Sequence, residues 1–243
     1  MNELLNSKQL NSNRKLPSVI TIDGPASSGK STLGNMLAMQ LGYLYFDTGV
    51  MYRAVTYAAI KRGIPIDDED AITHLAEQSQ IDVTPPSRAD GRSYDVLIDG
   101  QDVTWEIRRS DVDGNVSLVS AYIGVRRALS DQQRRIGLQG DVVMVGRDIG
   151  TVVLPEADLK FYLDASVEVR ARRRYFELKE RGVQVDYESI LSSIQERDRI
   201  DSTREVAPLK ISQDAIVIDT DNIDIELVLD KMLGYVKHAK TNF

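Results

Sequence analysis

Val19-Ile20-Thr21-Ile22-Asp23-Gly24-Pro25-Ala26-Ser27-Ser28-Gly29-Lys30-Ser31-Thr32 carries an apolar, β-branched run straight into the pattern G-x-x-x-x-G-K-[ST]. That junction decides the fold: it reads as a buried strand, a phosphate-binding loop and the first turn of a helix. Each residue type answers a chemical need. Gly24 and Gly29 let backbone N–H groups close around phosphate oxygens, and Pro25, Ala26, Ser27 and Ser28 complete the cradle. Lys30 can reach the β/γ-phosphates, and the Ser31 hydroxyl can ligate Mg2+, with Thr32 beside it at the helix start. The helix that follows, marked by Leu33, Met36, Leu37 and Leu41, turns the positive end of its dipole to the same anion.

Outward from this loop, short apolar runs alternate with helical spacing. Val19 to Ile22, Tyr43 to Phe46, Val142 to Val145, Leu159 to Leu163 and Ile216 to Ile218 are nearly continuous rather than alternating, as strands covered on both faces are. Helices are predicted near 30–41, 50–62, 71–78, 124–138, 166–181, 187–199 and 223–238. The expected architecture is α/β with a five-stranded parallel core sheet. About a hundred residues separate the second run from the third, far more than a crossover helix needs. Within them Ile81 to Thr84, Tyr94 to Ile98 and Asp102-Val103, set off by Pro85-Pro86, Asp90-Gly91 and Asp99-Gly100, predict a small antiparallel sheet. Trp105 is expected to anchor that inserted lobe.

Composition narrows the classes. The 243 residues are 42% hydrophobic and 28% charged, enough for a substantial core. A net charge of −7 argues against a nucleic acid polymer or an anionic membrane as partner. With no cysteine, disulfides, thiolate nucleophiles and cysteine-ligated zinc are excluded. The polar residues 1–16 contain no signal-peptide or membrane-length apolar run and are expected to be a poorly ordered extension. A cytoplasmic monomer is the expectation. His74 and His238 lie in surface helices away from every motif.

A phosphate loop alone serves hydrolases, switches, motors and kinases. No N-K-x-D base-reading motif and no transporter signature loop is present. The second strand runs into Asp47-Thr48-Gly49-Val50-Met51-Tyr52-Arg53 and the third core strand into Gly146-Arg147-Asp148-Ile149-Gly150, both at the sheet edge where open α/β folds bind ligands. Asp148 reads either as an acceptor-site group or as a carboxylate that orients Mg2+-bound water. The arginines of 170–174 and 196–204 read either as a solvated helical face or as a lid whose cations stabilise a transferring phosphoryl group.

Taken together, ITIDGPASSGKST (20–32), FDTGVMYR (46–53), EIR (106–108), SLVSA (117–121) with Arg126 beyond it, GRDIGTVV (146–153) with Pro155 and Ala157, FYLDAS (161–166), ERDRIDSTR (196–204) and VAPL (206–209) resemble the bacterial-type cytidylate kinases, in the nucleoside monophosphate kinase group of P-loop kinases. The resemblance runs in order from about residue 18 to 236. It implies ATP as co-substrate with Mg2+, and CMP and dCMP as acceptors. It also implies a core of 17–80, 124–165 and 205–243, an inserted CMP-binding lobe over 81–123 and a lid over 166–204. By the same resemblance Thr48, Arg53, Arg147 and Arg204 position the acceptor phosphate, Arg197 and Asp201 contact its ribose and phosphate region, and Ser117, Arg126 and Asp148 read cytosine. Among the lid arginines, Arg170 and Arg173 are nearest the family pattern. Threonine stands at 48 where the family often has serine, keeping the hydroxyl. The stretch SDVDGNVS (110–117) departs from the more usual form, with Gly114 weakening a helix by about 1 kcal/mol relative to alanine. Other phosphate acceptors such as UMP, dTMP or a small metabolite, and a nucleotide-binding module without turnover, are the competing readings.

Overall fold

The computed structural model describes residues 16–239; of the expected N-terminal extension, residues 1–15 lie outside the described residues. Five strands, β1 (Val19–Asp23), β2 (Leu44–Asp47), β6 (Val142–Val145), β7 (Leu159–Asp164) and β8 (Ile216–Asp219), form one sheet in the order β2-β6-β1-β7-β8. Every pairing in it is parallel. All four residues of β6 are buried, as are Ile20 and Ile22 of β1, which is why these runs are apolar without alternation.

Helix α1 (Lys30–Leu41) follows the phosphate loop and packs on β6 and β2, with Gly34 at its closest approach. A Cβ at Gly34 would lie 2.5 Å from Val145 Cγ2, so only glycine lets the helix sit this near the sheet. Helix α8 (Ile225–His238) packs on α1 and buries Val228, Leu229, Met232 and Val236; of the apolar spacing Ile225, Leu229, Met232 and Val236 in the sequence, Ile225 is only half-buried.

Between β2 and β6 the chain builds α2 (Gly49–Arg62), α3 (Glu69–Gln78), β3 (Ile81–Thr84), β4 (Asp95–Ile98), β5 (Gln101–Asp102), a 3-10 turn over Glu106–Arg108, α4 (Ser110–Val119) and α5 (Ile123–Gly137). The three short strands form the expected antiparallel sheet. Asp99 and Gly100, both at positive φ, make the tight turn between β4 and β5. Helix α3 packs on α5, and α2 on α4. Helix α4 is not among those that apolar spacing predicts; it buries only Val112 and Val119.

Trp105 is 42% exposed and does not anchor this lobe. Its Nε1–H donates to Asp90 at 3.0 Å. The anchor is Arg92, whose side chain is 2% exposed and bonds Asp90, Asp95 and Asp102, each at 2.8 Å. One rigid guanidinium thereby fixes the loop before β4, β4 and β5 together.

After β7, helices α6 (Val167–Glu180) and α7 (Tyr187–Thr203) pack on each other around Ala171, Ile190 and Ile194, a cluster separate from the main core.

Candidate active site

The sheet brings three sequence-distant segments to its carboxyl edge. In the phosphate loop, Gly24 has φ 146° and Gly29 φ 93°, and a Cβ at Gly24 would collide with the Leu163 carbonyl of β7. The loop can therefore lie against the sheet only with glycine there. Lys30 is buried and folded back, its Nζ donating to the Pro25 carbonyl and to Ser28 Oγ at 3.4 Å. Burial, then the Arg147 charge, push its pKa well below the ordinary lysine value. A bound polyphosphate would reverse that balance by supplying the anion the ammonium lacks.

Beside the loop, a cavity of about 580 Å3 is lined by residues 27–33, by Arg173 and Arg174 of α6, by Thr220, and by an apolar wall that includes Ile223 and Val228. Arg173 donates to Thr220 Oγ1 at 3.0 Å and to its carbonyl at 2.5 Å, while Thr220 Oγ1 donates on to the Asp164 carbonyl at 3.0 Å. Arg170, 4% exposed, donates to the Ala26 carbonyl at 3.2 Å and forms a bidentate pair with Asp198 of α7 at 3.0 and 2.5 Å. The two arginines thus lie on the loop side, with Arg170 touching the loop itself.

Ser31 Oγ donates to Asp47 Oδ2 at 3.0 Å, and Asp47 Oδ1 accepts the Gly49 N–H at 3.0 Å. A hydroxyl and a carboxylate side by side next to a phosphate cradle are the hard oxygen donors that suit Mg2+. Asp47 was not singled out from the sequence; its place at the end of β2, one strand removed from β1, was the available signal.

Opposite the loop lies a dense charge network. Arg126 of α5, 4% exposed, donates to Asp148 Oδ2 at 2.8 Å and lies 5.6 Å from the Tyr52 ring centroid. Its buried Nε–H has no partner among the described residues. Arg204 donates to Asp148 Oδ1 and to Asp201 Oδ1, each at 3.3 Å, and Arg147 donates to Asp201 Oδ2 at 2.9 Å. Burial works against the Asp201 charge, yet Arg147, Arg197 and Arg204 outweigh it and hold the carboxyl below its usual range. Arg197 stands exposed at the mouth, among the charges of Arg147, Asp201 and Asp47. Arg126, Arg147, Asp148, Arg197, Asp201 and Arg204, drawn from helices α5 and α7 and the end of β6, therefore converge.

The remaining expected residues are Thr48, Arg53 and Ser117. Thr48 is buried, and its Oγ1 donates to the Val145 carbonyl at 3.0 Å. Arg53 bonds the Ile107 carbonyl at 3.2 Å and pairs with Asp113 of α4. Ser117 is exposed on α4, and its carbonyl accepts from Ser120 Oγ at 2.9 Å; no hydrogen bond joins it to Arg126 or Asp148 among the described residues.

The family model for cytidylate kinase matches residues 20–238. The chain belongs to the cytidylate kinase family. It is 50% identical to a cytidylate kinase of Herpetosiphon aurantiacus over 220 residues, covering 90% of this chain and 94% of that one. A cytidylate kinase of Chloroflexus aggregans is 49% identical over 235 residues, with 94% and 99% covered. One of Bacillus velezensis is 46% identical over 218 residues, with 90% and 96% covered. Among solved structures, a shikimate kinase of Acinetobacter baumannii in complex with shikimate overlies 94% of this chain and 97% of its own at 19% identity and TM-score 0.44. As in other members of the cytidylate kinase family, an ATP-dependent nucleoside monophosphate kinase activity follows from membership.

Proposed function

We propose that the protein transfers the γ-phosphoryl group of ATP to CMP and to dCMP, giving ADP with CDP or dCDP, as a cytoplasmic monomer of pyrimidine nucleotide metabolism. The observation that carries the acceptor assignment is the buried Arg126–Asp148 pair with its unpartnered Nε–H. Cytosine offers an N4 amino donor beside acceptors at N3 and O2, so it meets both a carboxylate and a spare guanidinium donor. Uracil presents O4 and N3–H at the matching positions, leaving buried groups unpaired. The family resemblance assigns Ser117 of α4 to the base as well.

On this reading residues 17–80, 124–165 and 205–243 are the ATP-binding core, 81–123 the CMP-binding lobe and 166–204 the lid. The separate apolar cluster of α6 and α7 favours a lid that moves as its own unit. Residues 24–32 hold the ATP phosphates. Ser31 would ligate Mg2+, with Asp47 accepting from one of its waters; the ion supplies charge neutralisation of the β/γ-phosphates. Thr48, Arg53, Arg147 and Arg204 grip the acceptor phosphate, with Arg197 and Asp201 on the ribose side. Lys30, Arg147, Arg170, Arg173 and Arg204 carry charge as an acceptor phosphate oxygen attacks the γ-phosphorus in line and ADP leaves. No strong base is required, since a monophosphate is already largely dianionic near neutral pH. Partners are small nucleotides, and no described helix is long and apolar enough to cross a membrane.

CDP formed from CMP, ATP and Mg2+ and resolved by chromatography tests the proposal. Steady turnover by the wild type, lost by about three orders of magnitude in Lys30→Ala, is expected. Nucleotide binding without any CDP would leave a binding module instead.

A further inference from the structure

The carboxylate of Asp23 joins the donor loop to the acceptor network. Asp23 is the last residue of β1 and immediately precedes Gly24. It is 5% exposed. Its Oδ1 accepts the Ile149 N–H at 2.9 Å and its Oδ2 the Gly150 N–H at 2.7 Å. Those two amides open the π-helical turn Ile149–Val153, and the residues just before it are Arg147 and Asp148. Wide turns of this kind are rare and concentrate at functional sites.

Two oxygens on two successive amides fix the turn against rotation as well as translation. The turn is also held tight against β1, because a Cβ at Gly150 would lie 2.9 Å from Thr21 Oγ1 and 3.3 Å from Asp23 Oδ2. The arrangement is costly to keep ionised. Burial, aided by the Asp148 charge, raises the Asp23 pKa to about 6, although the two amides and Lys30 favour the anion. Besides Asp148 just before the turn and Lys30 on α1, Tyr162 and the stem of Lys160 face it from β7. The Lys160 ammonium is engaged elsewhere, on the Pro155 carbonyl and Asp214.

We propose that Asp23 is a positioning residue for the acceptor, holding the turn that carries Arg147 and Asp148 in register with the phosphate loop. It touches neither nucleotide; it sets where the cytosine- and phosphate-binding groups stand relative to Lys30. The inference rests on the CMP kinase reading. Wild-type turnover of CMP is therefore measured first, and its absence overturns that reading rather than this one.

The decisive comparison is wild type against Asp23→Asn, which keeps the shape but offers one acceptor oxygen where two amides need acceptors. A loss in kcat/KM for CMP on the order of 100-fold is expected, with the dissociation constant of ATP changed by less than about threefold. The ratio of wild-type to variant kcat/KM for CMP should also fall as pH drops from 7.5 to 5.5, as Asp23 protonates. Titration of the CMP phosphate itself, near pH 6, cancels in that ratio. Equal kcat/KM values overturn the proposal, as does a parallel loss of ATP binding, or a ratio that stays flat with pH. If Asp23→Asn does not fold, Gly150→Ala pushes the same turn away from Asp23 and Thr21 by its added methyl. It should show the same CMP-selective loss, and full CMP activity in it overturns the proposal.

Discussion

At the scale of single residues, the site is a set of cations already paired with carboxylates. Asp148 binds Arg126 and Arg204, and Asp201 binds Arg147 and Arg204. Asp148→Asn would keep the side chain's shape but remove a full negative charge between two arginines and, on the proposed reading, the acceptor for the cytosine amino group. We expect kcat/KM for CMP to fall by about two orders of magnitude with ATP binding nearly unchanged; an unaltered CMP value removes Asp148 from the base site. Asp113 differs in kind. It is more than half exposed and occupies Arg53 before any acceptor phosphate arrives. Asp113→Asn should lower KM for CMP by about two- to fivefold at low salt, an effect that shrinks as salt is added. Asp23 makes a prediction about stability. Its folded pKa of about 6 stands above the ordinary 3.8, so the folded state binds the proton more tightly than the unfolded chain between those values. Its ionisation thus costs stability above pH 6, and the cost is relieved as pH falls. Measured against Asp23→Asn, the wild-type Tm should rise by about 2–4 °C from pH 7 to pH 5.

At the scale of elements, what could be read from the sequence was whatever has a local cause. The buried strands announce themselves because residues covered on both faces must be apolar, and the turn at Asp99-Gly100 because only certain residues tolerate positive φ. Helix α4 escaped the apolar pattern because it buries two side chains in ten residues. Trp105 is the anchor expected from the sequence, yet the fold uses Arg92, whose importance depends on three aspartates meeting it in space. The Asp23 strut was illegible for the same reason, since its partners lie 126 and 127 residues away. The packing of α1 on β6 gives a prediction at this scale. Gly34→Ala would drive a methyl into Val145 and cost about 1–3 kcal/mol, lowering Tm by several degrees and raising KM for ATP as the helix and its loop shift. A variant as stable as the wild type would show that the contact relaxes freely.

At the scale of the whole molecule, the order β2-β6-β1-β7-β8 places the donor loop at the centre of the sheet and the acceptor segments of β2 and β6 to one side of it. Helices α6 and α7 lie across the same edge, with Arg170 on the loop and Asp201 and Arg204 on the acceptor network. On the proposed reading the two nucleotide sites share one edge, and the residues assigned to the acceptor come from segments that only folding unites. The central claim is that this second site selects cytosine. It is tested most directly by kcat/KM for CMP and for UMP under the same ATP and Mg2+ conditions. The account predicts that CMP is preferred by at least about 100-fold. Equal values, or a preference for UMP, would contradict it.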